Sequence, residues 1–197
     1  MIPSSKPQAT IDEINKIIEA NGIDRTKFPC VLVGIRGYYL DSMGAEKVND
    51  RGIYDDALFW VTPNVFASFN GNTDPSKFQK GFGSGAAKGM ASLNTGVWFY
   101  KRGVHYGKIP HEAFRQAAPV KITRDGIAGP YQDSLDSSIN IHRGGFGTSS
   151  LGCQTVPPIQ WESFKGLGYS ETQRLKQNTF PYILINETER RAGNYKV

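Results

Sequence analysis

The sequence predicts a mainly β fold with a few short helices, built as a β-sandwich or barrel-like core. Three observations carry this. The apolar runs are of strand length, as at 28–35, 53–61, 120–124 and 180–185. Turn formers are frequent, with 22 glycines and 11 prolines in 197 residues. Helical periodicity is confined to a few stretches, and many strands with few helices pack as sandwiches or barrels.

Taken in order, residues 1–9 read as a loose tail. Thr10-Ile-Asp-Glu13 is a capping box, in which the threonine and glutamate satisfy each other's amides. Ile11, Ile14, Ile17 and Ile18 then share one face, and Asn21-Gly22 ends the helix, so a helix is predicted over 11–20. Cys30–Ile35 is a buried strand, with Tyr38–Leu40 as its continuation, and 41–50 is a polar loop. Ile53–Val61 and Val65–Phe69 are strands, and Asn70-Gly71 signals a turn. Residues 71–90 read as a long surface loop. Val97–Tyr100 and Val104–Tyr106 flank Arg102-Gly103 as a hairpin. Ala113–Ala117 reads as one helical turn, Val120–Arg124 as a strand, 125–130 as a turn and Ile139–His142 as a strand. Pro157-Pro158 opens a short helix containing Trp161 and Phe164. Ser170-Glu-Thr-Gln173 starts a second one reaching about Gln177. Phe180–Ile185 is the last strand, and 187–197 is a charged end expected to fray. The predicted division is 1–27, a tail and helix packed on the core, and 28–197, one catalytic β-rich domain.

Composition narrows the function classes. Hydrophobic residues make up 39% and the mean hydropathy is −0.41, as in a soluble globular protein. No apolar run reaches membrane-spanning length. The net charge of +5 suits a polyanionic surface such as a bacterial envelope. The basic residues are scattered, which speaks against a nucleic-acid tract. The first ten residues lack a basic-then-apolar leader pattern. Of two cysteines, Cys30 lies in an apolar run as a buried thiol, and a disulfide to Cys153 has no support in the sequence.

The stretch Ile139–Pro157 carries the chemistry. An alternating strand ends at His142, a glycine- and serine-rich run follows, and Cys153 comes directly after Gly152. A thiol becomes a nucleophile when a nearby imidazole holds it as thiolate. Attack on an amide then creates an oxyanion that needs amide donors, here those near Gly152 and Cys153. Carbonyls of Arg143-Gly144-Gly145 are placed to orient the imidazole. The competing reading is a buried cysteine and an unrelated hydrogen-bonded histidine. Arg143 is a candidate for a substrate carboxylate. Gly144, Ser150 and Gln154 are the other substrate-binding candidates.

Other features rank lower. His105 and His111 could join His142 and Cys153 around zinc, but their spacing matches no metal motif, and they read as surface histidines. No metal or cofactor is therefore expected. Gly81–Gly89 lacks the Gly-Lys-Ser/Thr ending of a phosphate loop and reads as a flexible loop. Arg124, Asp125 and Asp136 are weak polar candidates, and Trp98, Tyr100, Tyr106 and Tyr131 are candidate groove walls.

His142 at a strand end, a short glycine-bearing loop and Ser150-Leu-Gly-Cys153 resemble the L,D-transpeptidase (YkuD) catalytic domain. There the motif is Ser/Thr-His-Gly-Cys and the cysteine attacks peptidoglycan stem peptides. The resemblance covers about a tenth of the chain. It implies a YkuD-type core with Cys153 as nucleophile, His142 as its histidine and Gly152 as the preceding glycine. His before Cys is opposite to papain-like and NlpC-like peptidases. Leu151 replaces the family's second histidine, Gln154-Thr155-Val156 replaces its aliphatic-Arg/Asn-Met, and His142 stands only eleven residues before Cys153. Short versions resemble divergent phage and effector members. The expected function is a stem-peptide cysteine peptidase, an L,D-carboxypeptidase or endopeptidase of the phage endolysin type. A transpeptidase or secreted antibacterial effector is the alternative, and a non-catalytic virion or wall-binding module is the alternative of another class. The expected partner is peptidoglycan, with no nucleic acid, no stable membrane insertion and a monomeric chain. The expected route is cytoplasmic synthesis, then delivery to the wall through a holin or secretion system.

Overall fold

The computed structural model of the chain describes residues 1–82, 89–107 and 109–197. With 35% strand and 17% helix the fold is mainly β, as the sequence predicts. Among the described residues there are three helices and eleven strands. They are α1 (Ile11–Ala20), β1 (Val31–Arg36), β2 (Asp56–Val61), β3 (Phe66–Gly71), β4 (Ala91–Leu93), β5 (Gly96–His105), β6 (His111–Gln116), β7 (Val120–Arg124), β8 (Tyr131–Leu135), β9 (Ile141–Arg143), β10 (Gln154–Val156), α2 (Pro158–Arg174), β11 (Thr179–Asn186) and α3 (Glu187–Arg191).

Eight strands form one sheet in the order β10-β9-β6-β5-β11-β1-β2-β3, and β4-β7-β8 form a second. The large sheet curls until its two edge strands meet. Just beyond β3, the Asn72 amide donates to the Thr155 carbonyl at 2.8 Å, and the Thr155 amide returns a bond to Asn72 at 2.8 Å. That pair of main-chain bonds ties the edges into a nearly closed barrel. It leaves little of either edge open at this point to pair with another chain.

The central strands are apolar on both faces because both faces are covered. In β1, β2 and β11, Leu32, Leu58, Trp60, Tyr182 and Leu184 point to one core. Their neighbours Val31, Val33, Ile35, Ala57, Phe59, Val61, Ile183 and Ile185 point to a second. The second core is closed by α1 through Ile14, Ile17 and Ile18. Burying each isoleucine contributes on the order of 1.5–3 kcal/mol. The capping box of α1 is present as predicted, with Thr10 and Glu13 bonding each other's amides. The first core is closed by the small sheet, through Leu93, Val120 and Ile122, and by α2, through Trp161 and Phe164.

Several predicted boundaries move for identifiable reasons. Arg102-Gly103 is no hairpin: β5 runs straight through it, and Gly103 permits close packing, since a Cβ there would sit 2.9 Å from the Arg115 side chain. The chain reverses after His105, and 113–117 is strand β6 rather than a helical turn. Asn70-Gly71 closes strand β3 instead of making a turn. The helix expected to begin at Ser170 is the second half of one helix, α2, in which Ser170 Oγ donates to the Leu167 carbonyl at 3.0 Å. Gly166 and Gly168 had masked its continuity, because glycine is a poor helix former. Gly168 is retained by packing: a Cβ would lie 2.5 Å from the Trp60 ring and 2.6 Å from Phe114. Strand β8 had no clear apolar signature, since Tyr131–Leu135 is largely exposed.

Neither terminus is loose. The Tyr54 amide donates to the Met1 carbonyl at 3.0 Å, and the Tyr39 hydroxyl to Ser5 at 2.9 Å. Residues 187–191 form α3, where Arg190 pairs with Glu187 at 2.7 Å and reaches Glu13 of α1 at 2.9 Å. The polar stretch 71–76 is also not surface loop: Asn72, Thr73 and Asp74 are buried. Positions 83–88 of the predicted Gly81–Gly89 loop lie outside the described residues.

One end of β2 holds two buried carboxyls. Asp56 accepts from the amides of Gly37 and Thr73, both at 2.5 Å, and Asp55 accepts from the Asp50 amide at 2.9 Å. Both are pushed above the usual carboxylate range, first by burial and then by neighbouring charge, Asp56 on Asp55 and Asp74 on Asp56. Groups whose folded pKa is raised favour the fold most below the ordinary carboxylate pKa of about 4, and that contribution is lost as pH climbs through the folded value. The melting temperature is therefore expected to fall between about pH 5 and about pH 9, and Asp55→Asn, which keeps an acceptor for Asp50, should lessen the fall. A flat wild-type profile in differential scanning calorimetry would contradict this. Gly168→Ala should lower stability by about 1–3 kcal/mol in urea denaturation despite its better helix propensity, because the core has no space for the methyl.

Candidate active site

The parallel pair β9–β10 builds the site. Its register sets Gln154 against Ile141 and Thr155 against His142, which brings Cys153, just ahead of β10, beside Asn140. The Gln154 amide donates to the Asn140 carbonyl at 2.9 Å, and the Asn140 amide approaches Cys153 Sγ at 3.4 Å. The connection 144–153 must turn back tightly to re-enter alongside β9. Thr148 and Ser149 both adopt the left-handed conformation, with φ of 57° and 60°. Such backbone persists where the surroundings fix it. Here the Tyr54 hydroxyl donates to the Gly145 carbonyl at 2.6 Å, and Thr148 Oγ1 to Ser76 Oγ at 2.7 Å. The Ser150 amide also donates to Ser76 Oγ.

Cys153 and His142 meet, as the sequence predicts. Sγ of Cys153 and a ring nitrogen of His142 lie within 4.8 Å of each other, and a ring nitrogen of His105 lies within the same distance of both. His142 Nδ1 is 2.7 Å from the Arg143 carbonyl. A carbonyl only accepts, so Nδ1 carries the proton and Nε2 is left as the basic nitrogen. The Arg143–Gly145 carbonyls were expected to orient the ring, and Arg143's does so.

The resting pair is neutral, contrary to the thiolate expected from the sequence. Burial pushes the Cys153 thiol up to about 11, and its S–H donates to the Ser138 carbonyl at 3.1 Å. Burial, and then the neighbouring His105, lower His142 to about 4. A low-dielectric site disfavours both charged forms. A base of this kind accepts the thiol proton during attack rather than before it.

His105, weighed from the sequence as a zinc ligand and read as a surface histidine, belongs to the site. It ends β5, and its ring stacks on His142 with centroids 4.0 Å apart and planes 16° apart. Asn140 Nδ2 and His105 Nδ1 are 3.0 Å apart, so one residue links His105 to the thiol. His111 is the strand partner of His105 and lies 5.7 Å from the His142 ring. Both are half-buried parts of the cluster, not isolated surface histidines. The signal lay in the hairpin: a turn after His105 places the two histidines opposite each other, whereas a turn at Arg102-Gly103 separates them.

The remaining candidates divide. Arg143 is exposed and lines, with His142, His105 and His111, a cleft of about 530 Å³. Trp161 and Lys165 line it from α2, and Lys165 is held between Glu112 and Glu162 at 2.9 Å each. Ser150 is buried and shapes the turn: its Oγ donates to the Cys153 carbonyl at 2.6 Å and accepts from the Gly152 amide at 2.9 Å. The Gly152 amide, expected as an oxyanion donor, is thus engaged. Gln154 is fully buried, accepting from the Tyr182 hydroxyl at 3.1 Å, and does not line the cleft. Gly144 is buried too, and a Cβ there would lie 2.2 Å from the Tyr54 hydroxyl. Arg124 pairs with Asp133 at 2.6 Å and Asp125 with Arg51, so both brace the small sheet and its neighbouring loops. Tyr100 is core, while Tyr106 is exposed. Cys30 is a free buried thiol, pushed up to about 12 by burial, and Cys153 is also free.

No family model, curated protein or solved structure matches the chain. What it does is therefore argued from this site.

Gly152 has a packing role that can be tested. A Cβ there would lie 2.4 Å from the Ala91 carbonyl oxygen and 3.2 Å from the Ile139 side chain. Backbone cannot give way as a side-chain tip does. Gly152→Ala should cost about 1–3 kcal/mol of stability in urea denaturation and slow Cys153 alkylation even where the protein remains folded. A variant as stable as wild type would disprove the close approach to β4.

Proposed function

We propose that the chain is a cysteine-dependent acyl-transfer enzyme, with Cys153 as nucleophile and His142 as its base. One observation carries this reading: a buried thiol and an imidazole nitrogen lie within 4.8 Å, the ring is fixed by a carbonyl on its far nitrogen, and that ring lines a cleft.

Its substrate, on this proposal, is the peptidoglycan stem peptide, and the protein is a lytic L,D-carboxypeptidase or endopeptidase of the phage endolysin type. The support is the Ser-x-Gly-Cys motif behind a strand-end histidine, and an exposed Arg143 that suits a substrate carboxylate. The net charge of +5 favours contact with an anionic envelope. A holin or a secretion system would deliver it to the wall.

The chemistry runs in two stages. His142 Nε2 takes the S–H proton as Sγ attacks the carbonyl at the L-centre of the diamino acid. With the Gly152 amide engaged, the Cys153 amide is the donor for the oxyanion in that turn. Collapse expels the amine, which takes the proton from the imidazolium, and leaves a thioester. Water, activated by the same imidazole, then releases the acyl group. An amine of another stem would give cross-linking instead, the transpeptidase alternative, and a secreted effector could use the same steps.

The burial of the thiol favours a second reading, a non-catalytic wall-binding module that keeps Cys153 for packing. Incubation with isolated sacculi separates the two. Wild type should release muropeptides detected by mass spectrometry, Cys153→Ala should release none, and His142→Ala should be slower by about 10²–10⁴-fold. If wild type and Cys153→Ala give identical products while both bind sacculi, the protein is a binding module and the enzyme reading falls.

A further inference from the structure

We infer that His105, His142 and Cys153 form a binding site for a thiophilic divalent cation, zinc above all, and that its capture holds the enzyme inactive. The silencing rests on Cys153 being the nucleophile; the binding does not.

One nitrogen from each imidazole and Sγ of Cys153 lie within 4.8 Å of one another. Tetrahedral zinc holds nitrogen at about 2.0–2.1 Å and thiolate at about 2.3 Å, so bound donors stand roughly 3.3–3.8 Å apart. Closing the observed triangle onto an ion takes shifts of about 1 Å. The donors come from three places, the end of β5, β9 and the residue before β10, all in one hydrogen-bonded sheet.

Around His142 and His111, though not His105, whose Nδ1 faces the Asn140 Nδ2 donor at 3.0 Å, the groups are arranged as around metal-bound histidines, where the second nitrogen is held by an acceptor. His142 Nδ1 faces the Arg143 carbonyl at 2.7 Å, leaving Nε2 free. His111 repeats the pattern: its Nδ1 faces the Ile109 carbonyl at 3.0 Å, and its Nε2 is buried with no hydrogen-bond partner among the described residues. The His111 ring centroid is 5.3 Å from that of His105 and 5.7 Å from that of His142. His111 lies outside the 4.8 Å group of donor atoms, so the fourth position falls to water, or to His111 after a shift of its ring. One thiolate with two or three imidazoles selects zinc over magnesium or calcium, which take oxygen donors.

The balance is simple. The cation displaces the S–H proton to solvent and forms a sulfur–metal bond, while the imidazole lone pairs bind without losing a proton. Nucleophile and base are then both ligands, and neither can react. Removing the ion restores the thiol and the free Nε2.

Cobalt(II) serves as the spectroscopic probe, titrated into the reduced, metal-free full-length chain. A saturable one-to-one sulfur-to-cobalt charge-transfer band with visible bands of four-coordinate intensity is expected, and zinc should displace it. Cys30→Ala should leave the spectrum unchanged, Cys153→Ser should abolish the charge-transfer band, and His105→Ala should weaken binding at least about tenfold, each variant being checked for folding by circular dichroism. No saturable band in wild type, a band surviving in Cys153→Ser, or undiminished affinity in His105→Ala would each overturn the site. Alkylation by iodoacetamide separates this from the enzyme reading. One equivalent of zinc should slow Cys153 labelling at least about tenfold, and a chelator should restore it. Labelling unaffected by zinc defeats the metal site. A normal cobalt spectrum in a protein that never processes sacculi defeats the enzyme reading and the silencing, and leaves the binding intact.

Discussion

The two main-chain bonds between Asn72 and Thr155 are the constraint on which the rest depends. They join the edges of an eight-stranded sheet, and they do so two residues after Cys153. Closure fixes the path of β10, and the parallel register of β10 on β9 fixes where the thiol stands relative to His142. The barrel also encloses the aromatic core of Trp60, Phe114, Phe164 and Phe180, whose rings pack edge to face or tilted at 4.9–5.9 Å. The site is thus a by-product of the same edge pairing that completes the hydrophobic interior.

Burial explains the chemistry of the site as well as its geometry. Removing water disfavours both thiolate and imidazolium, so the pair rests neutral with the S–H on the Ser138 carbonyl. That carbonyl belongs to a residue with φ of 96°, so some backbone strain is stored beside the Cys153 thiol. His105 and His142 follow the same logic, because burial first and then the neighbouring imidazoles disfavour their protonation.

Close approach is managed by glycine at two points. Gly168 lets a helix settle on Trp60, and Gly152 lets the Cys153 turn pass against the Ala91 carbonyl. Both glycines are required by space. Gln154 and Ser150 show the same thing for polar residues. They satisfy buried groups on Tyr182 and in the Cys153 turn, and this is the ordinary condition for polar atoms away from water.

By itself the sequence determined the elements whose signals are local. The capping box before α1, the isoleucine face behind it, the apolar strand beginning near Cys30 and the strand at 120–124 need no distant partner to be read. The same holds for the Cys153–His142 pairing, which a strand end, a short glycine-rich loop and a cysteine make visible within a few residues. Only the tertiary structure decided what depends on distant contacts. Gly103 and Gly168 look like breakers until Arg115 and Trp60 are seen to occupy the space a side chain would need. Tyr131–Leu135 becomes a strand only because β7 offers its edge. His105 enters the site because β5 runs on past Gly103 and turns at its end, which places a histidine 37 residues upstream against His142. The charge state of the thiol was likewise out of reach, since it is set by how much water the folded chain excludes, and no local pattern of residues specifies that.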